Sequence, residues 1–434
     1  MANEHRVLLE VGGLIRSAAD VIDGPSYVLW NGSTIEASGG GVYDGDRTGL
    51  HVVRKMSSVA MPGLVNTHGH AAMTLFRSAG DDVPLQTWLT EKMFPLEQQL
   101  TAEAVYWGTQ LACWEMAVSG TTCFTDMYFY MEESARATLD SGLRGILSVG
   151  LLGFTEEMQK QGIADSRSFK AGWHQRGDGR IQVTLGPHAP YTCPPAFLEQ
   201  VTDLSAELDL PIQIHLSETA YEVEESHRQH GKSPIAHVRD CGLFTRPVLA
   251  AHCVHVNAED IKIMAEHDVR AAHNPQSNLK LGSGIAPAVA LRNAGITVGL
   301  GTDGAASNNN LDMFEELRLA ALLHKGVLQD ATAVTASEAF QMATADGARA
   351  VFQPAGTGTL TPGANADVVL LNLDNPSFIP TYNLLSNVVY AASASDVTDV
   401  YVAGQPIVVN GEPVTMDTEQ IRWQVRRIVG KFSR

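Results

Sequence analysis

Two histidines separated by one glycine, in Asn66-Thr67-His68-Gly69-His70, follow a short apolar run. On a strand, residues two apart point to the same side, so His68 and His70 are expected to project together. Two converging imidazoles make half of a tetrahedral or five-coordinate metal site, and the glycine leaves room for close approach. Alone, an HxH pair is as often polar filling in a loop. Three more candidates end apolar runs downstream: His215 in Ile212-Gln213-Ile214-His215, His252 in Ala250-Ala251-His252, and Asp303 in Gly301-Thr302-Asp303. A lone histidine in such a run is usually a satisfied core residue. Five potential ligands or bases placed alike at strand ends do not arise that way by accident. Glu218, three residues past His215, is either a solvated loop carboxylate or an acid–base group beside such a metal.

The elements that must position these residues are short apolar strands alternating with stretches long enough for helices. From Met61 the strands read GLVNTHGH, TTCFTDM, LRGILSVGL, IQVTLGPHAP, PIQIHLSE, VLAAHCVHV, VRAAHNPQSN and ITVGLGTDG. Eight such units predict an α/β fold, a (β/α)8 TIM barrel over residues 61–356, whose C-terminal strand ends carry the active site. Residues 1–60 and 357–434 are β-rich and glycine-punctuated, and neither offers enough strands for a core of its own. They are expected to pair as a small β-sandwich built from both chain ends. Ile421, Val425 and Ile428 share one helical face, so a terminal helix is expected.

Composition narrows the partners. The chain has 434 residues, 44% of them hydrophobic, enough for a barrel and a second unit. A net charge of −18 argues against a nucleic-acid backbone as partner. No apolar stretch reaches membrane-spanning length, and the start lacks the basic, apolar pattern of a signal peptide. The five cysteines (113, 123, 193, 241 and 253) form no CxxC pair, which fits reduced thiols in a cytoplasmic protein.

PGLVNTHGHAAMTLFR, HLSET, AHC and GTDGAASNN together resemble the amidohydrolase superfamily, in the branch that holds methylthioadenosine/S-adenosylhomocysteine deaminases. Triazine hydrolases and guanine deaminases are relatives of that branch. The likeness runs over nearly the whole chain and implies the split sandwich as well as the barrel. It implies that His68, His70, His215 and Asp303 hold one Zn2+ per chain, with His252 beside the metal. Superfamily members with two metals carry a bridging lysine on strand four, and IQVTLGPHAP has none.

The function implied is hydrolytic deamination of an adenine nucleoside: 5′-methylthioadenosine, adenosine, or S-adenosylhomocysteine. Glu218, His252 and Asp303 would be catalytic, with Glu218 moving the water proton to ring N1. VPLQTWLTEKMFPLEQQL is expected to cover the site as a long loop and helix. Within it Glu97 would bind ribose hydroxyls and Trp88 would wall the nucleoside, unless these are a helix-surface and a core residue. His188 would contact the purine, and Ser307 and Asn308 the ribose or its substituent. His227, His230, His255 and His273 are assigned to structure or loops. Other aminated heterocycles (guanine, cytosine, triazines) are the alternative substrates, and a metal-binding scaffold is the non-enzymatic one. A homo-oligomer is expected.

After strand three, Val149, Leu152 and Phe154 suit a methylthio group, whereas a homocysteine tail calls for arginine. Arg167, reaching in from a loop, is the competing possibility.

Overall fold

The computed structural model describes residues 6–432. Residues 1–5, on which the signal-peptide reading partly rests, lie outside the described residues. Four strands open the chain: β1 (Arg6–Ser17), β2 (Asp20–Asn31), β3 (Thr34–Gly40) and β4 (His51–Pro62). Next come β5 (Leu64–Asn66), β6 (Thr121–Tyr128), β7 (Arg144–Leu151), β8 (Ile181–Val183) and the two-residue β9 (Gly186–Pro187). They are followed by β10 (Ile212–Leu216), β11 (Val248–His252), β12 (Arg270–His273) and β13 (Val298–Leu300). The last group is β14 (Val368–Asn372), β15 (Val397–Val402), β16 (Gln405–Val409) and β17 (Glu412–Pro413).

The two chain ends meet in one eight-stranded sheet, ordered β17-β16-β15-β14-β4-β1-β2-β3. Its seam is the antiparallel pair β4–β14, from Pro62 opposite Val368 to Ser58 opposite Asn372. Leu9, Val11, Val28 and Trp30 from the first segment pack with Leu360, Val368 and Leu370 from the last. Neither segment could bury these side chains alone.

β5 through β8 form one parallel sheet, with β9 beside β7, and β10 through β13 form another. The sheets are joined at both edges. Leu185 bridges Ile212 in parallel, and Thr67 N donates to Leu300 O at 2.9 Å. Helices such as Ala102–Val118, Met131–Ser141 and Pro195–Leu208 connect successive strands. β6, β10 and β11 are buried along their whole length, and β11 accordingly reads Val-Leu-Ala-Ala before His252, a continuous apolar run rather than an alternating one.

Gly63 marks the join between the two units: a Cβ there would lie 2.0 Å from Thr122 Oγ1. Arg144 ties them further, its Nε and Nη2 donating to the Asp367 carboxylate at 2.7 and 3.1 Å in a buried fork. The terminal helix, Thr418–Val429, buries Ile421 and Ile428 and half-buries Val425. Among the described residues no helix is long and apolar enough to cross a membrane, and the five cysteines are free and buried.

Candidate active site

The chain beyond β5 does not continue as a strand. β5 stops at Asn66, so strand alternation is not what aims His68 and His70. Backbone bonds to neighbouring strands hold the segment instead: Asp303 N donates to His68 O at 3.0 Å and Met127 N to Gly69 O at 3.2 Å. At Gly69 a Cβ would stand 3.3 Å from Thr125 O, so a larger residue would press on β6. β13 likewise ends at Leu300, and Asp303 sits in the turn beyond it.

Ser217, His252 and Asp303 all take left-handed backbone, with φ of 54°, 72° and 63°. Non-glycine residues pay a steric penalty there, and such positions gather at functional sites. Here each one turns a strand end so that its own side chain, or its neighbour Glu218, faces the strand rim.

The side chains converge. His70 Nε2 is 3.3 Å from His215 Nε2 and 3.3 Å from Asp303 Oδ1, and His68 Nε2 is 3.6 Å from the same oxygen. Two overlapping triads, His68–His70–His215 and His68–His252–Asp303, each keep their donor atoms within 4.8 Å of one another. His68 Nε2 is buried with no hydrogen-bond partner. A buried polar atom left so is costly unless a ligand completes it, and this donor set fits a divalent cation.

The surrounding shell fixes these side chains. Ser277 Oγ and Ser307 Oγ donate to Asp303 Oδ2 at 2.7 and 2.9 Å, and Gly304 N donates to Oδ1 at 2.7 Å. His252 Nδ1 donates to Asn278 Oδ1 at 2.8 Å, leaving its Nε2 3.8 Å from Glu218 Oε2. Such outer contacts set tautomer and orientation.

Burial holds the His68 and His215 imidazoles well below their ordinary pKa, so both present lone pairs. His188 is pushed down to about 4, again chiefly by burial. Burial alone would raise the Asp303 carboxyl, but His70, His68 and His252 outweigh it and hold Asp303 below the usual carboxylate range. Glu218 moves the other way, raised by burial.

These groups form one end of a cavity of about 750 Å³, counting its open mouth. His70, His188, His215, Glu218, His252 and Asp303 line it together with Trp88 and Glu97. Trp88 and Glu97 arrive on a broken helix: Leu85–Thr87, a wide π-helical turn Trp88–Met93, then Phe94–Glu97. Glu97 accepts from Tyr128 Oη at 2.7 Å. Ser307, expected against the ribose, is not in the cavity wall; its hydroxyl is engaged by Asp303. Asn308 is also buried away from the wall and donates to Glu316 Oε1 at 2.7 Å. His273 pairs with His324, their Nε2 atoms 3.2 Å apart, outside the cavity.

Sequence reasoning passed over Tyr128 and Glu222. Tyr128 ends β6, a position its strand-end placement could have flagged. The Glu222 carboxylate accepts from Ser217 N and Glu218 N, both at 2.8 Å, a contact without a local motif.

Comparison with known proteins bears on this arrangement. A model of the amidohydrolase family matches residues 59–407. A 5-methylthioadenosine/S-adenosylhomocysteine deaminase of Syntrophomonas wolfei is 48% identical over 386 residues, covering 88% of this chain and 89% of that protein. The crystal structure of an adenosine deaminase from Xanthomonas campestris with bound zinc superposes with a TM-score of 0.92, at 35% identity over 98% of both chains. An atrazine chlorohydrolase from Arthrobacter aurescens, complexed with zinc, shares the fold at TM-score 0.90 and 23% identity, over 98% of this chain and 100% of that one.

Proposed function

The chain belongs to the amidohydrolase family, and we propose that it deaminates the adenine ring of a nucleoside by hydrolysis. 5′-Methylthioadenosine, adenosine and S-adenosylhomocysteine are the substrates in view; the products are the inosine analogue and ammonia. The Syntrophomonas relative bears a deaminase name of this class, and so does the Xanthomonas structure. The observation that carries the reading is one cavity lined by the His/Asp cluster, by Glu218 and by Glu97.

We read the eight parallel strands, joined at both seams, as a closed (β/α)8 barrel over residues 61–356, flanked by 1–60 and 357–434. His68, His70, His215 and Asp303 would hold one zinc ion, which supplies the Lewis acidity that lets water ionise near neutral pH. No lysine stands on β8 or β9, in keeping with one ion rather than two.

Glu218 takes a proton from the attacking water and delivers it to purine N1. The pKa raised by burial suits the protonated, donating half of that cycle. Ser283 Oγ, donating to Glu218 Oε1 at 3.3 Å, steadies the carboxyl. The water oxygen bonds to C6, which becomes tetrahedral; the second water proton then passes to the amino nitrogen, the C6–amino bond breaks as C6=O forms, and ammonia leaves. His252 and Asp303 stabilise the charge that builds at C6, and His188, held neutral, can hydrogen-bond the ring. Glu97 accepts from the ribose hydroxyls while Trp88 walls the base.

Ammonia release from adenosine, methylthioadenosine, S-adenosylhomocysteine, guanine and cytosine tests the reading. Nucleosides are expected to react; release from guanine or cytosine alone would replace the nucleoside assignment.

A further inference from the structure

A second cavity opens beside the first, with about 2210 Å³ of space counting its wide mouth. The two share Phe94, Glu97, Phe129, Gly150 and Leu152 as a common wall. For a nucleoside whose ribose meets Glu97, the vestibule is thus adjoining space open to a 5′ substituent. Val149, Leu152, Phe154, Met158 and Phe169 give the vestibule an apolar lining. Its charged residues are all of one sign: Glu97, Glu132, Glu133, Glu157 and Asp165, with no lysine, arginine or histidine among the described residues of the wall.

The basic residues nearby are already paired, Arg136 with a carboxylate of the wall itself. Arg136 pairs with Glu133 at 2.5 Å and Lys160 with Glu156 at 3.4 Å. Arg167 lies on the helix Glu156–Trp173, not on a loop, and forks onto Glu207 at 3.1 and 2.6 Å. Asp165 accepts only from a neutral donor, Gln161 Nε2, at 2.7 Å. Glu132, Glu157 and Asp165 are thus left as exposed carboxylates on the vestibule rim.

We infer that this vestibule selects the 5′ substituent by charge, admitting apolar thioethers and tails that end in a cation and rejecting tails that carry a carboxylate. The inference rests on the nucleoside reading above and narrows it. A carboxylate entering here would lose hydration, find no partner and meet like charge. An ammonium group would meet the rim acids while its methylenes lie on Leu152 and Phe154.

Three 5′-thioether adenosines of similar length separate the cases: propyl, 3-aminopropyl and 2-carboxyethyl, with methylthioadenosine as reference. At low ionic strength, kcat/KM for the carboxyethyl compound is expected about tenfold or more below the aminopropyl one, narrowing as salt is added. The double variant Glu157→Gln, Asp165→Asn should raise the carboxyethyl-to-aminopropyl ratio about threefold or more. Equal kcat/KM for the two charged tails, or a preference for the carboxylate, overturns the inference while methylthioadenosine turnover leaves the nucleoside reading standing. Failure to turn over any nucleoside, methylthioadenosine included, overturns both.

Discussion

His70 Nε2 and His215 Nε2 face each other at 3.3 Å. Each ring is anchored through its other nitrogen, His70 Nδ1 on Met127 O at 2.7 Å and His215 Nδ1 on His188 O at 2.6 Å. A carbonyl oxygen can only accept, so each Nδ1 donates; when a ring so anchored carries a single proton, its Nε2 is a bare lone pair. Two lone pairs this close repel. A cation shared between them turns the repulsion into coordination, and the anchoring carbonyls belong to the fold itself.

Metal content and activity should therefore fall together. The purified protein is expected to carry about one divalent ion per chain, and His68→Ala, His215→Ala or Asp303→Ala should lose both ion and turnover. Chelation should also lower Tm, because the ion binds the folded state in preference. Full activity after exhaustive chelation, verified by elemental analysis, would refute the assignment.

Glu218→Gln should separate binding from chemistry. The amide keeps the shape and the contact with Ser283 but cannot shuttle a proton, so kcat is expected to fall ~10²-fold or more with metal content unchanged. A variant that lost its metal would mark Glu218 as a ligand instead.

Glu222 offers a test of positioning. Both carboxylate oxygens hold the backbone turn at Ser217 and Glu218, and Ser217 adopts φ 54° within it. Glu222→Ala releases that turn, and kcat should drop ~10-fold or more while KM and metal content change little. Glu222→Gln, with one acceptor oxygen left, should recover part of the loss. Equal kcat in wild type and the alanine variant would dismiss the role.

Glu316 makes stability depend on pH. Burial raises its carboxyl from an ordinary 4.5 to about 8, despite donors at Gln276 N and Asn308 Nδ2. Between those values the unfolded chain has released the proton and the folded chain retains it, so this group's contribution to stability falls as pH rises. Glu316→Gln removes the dependence. Its Tm relative to wild type should climb by about 2 °C or more from pH 5 to pH 8, and a constant difference would contradict the shift.

The contrast between Glu218 and Glu222 shows what sequence could convey. Short apolar-rich runs ending in His215, His252 and Asp303 announced a parallel α/β fold and the convergence of these side chains at its strand ends. Glu218 was legible because it follows such a run. Glu222 was not, since a helical glutamate that folds back onto a turn looks like any solvated one. The backbone at Ser217, His252 and Asp303 was hidden for a related reason: none is glycine, and tertiary contacts override the local preference. Ser307 shows its Asp303 contact only in the structure, because a hydroxyl four residues past a carboxylate can reach back to it as readily as toward a ligand.

Glu97 and Tyr128 line the same cavity as the His/Asp cluster, with the Tyr128 ring centroid 6.2 Å from that of His70. Tyr128 Oη donates to Glu97 Oε1 at 2.7 Å, which leaves Oε2 for an incoming donor. Burial raises the Glu97 carboxyl above its ordinary pKa, and the Tyr128 bond opposes that rise. Ribose hydroxyls are donors that prefer a charged acceptor, so Tyr128 helps keep Glu97 in the binding form. Glu97→Ala should raise KM for adenosine by ~10-fold or more, the scale of a lost hydrogen bond to a charged group, and spare a ribose-free aminopurine. Tyr128→Phe should raise KM less, with the larger effect at lower pH, where the unsupported carboxyl is protonated first. If Glu97→Ala handles adenosine and the free base alike, Glu97 does not read the ribose, and the orientation of the nucleoside in the cavity must be reversed.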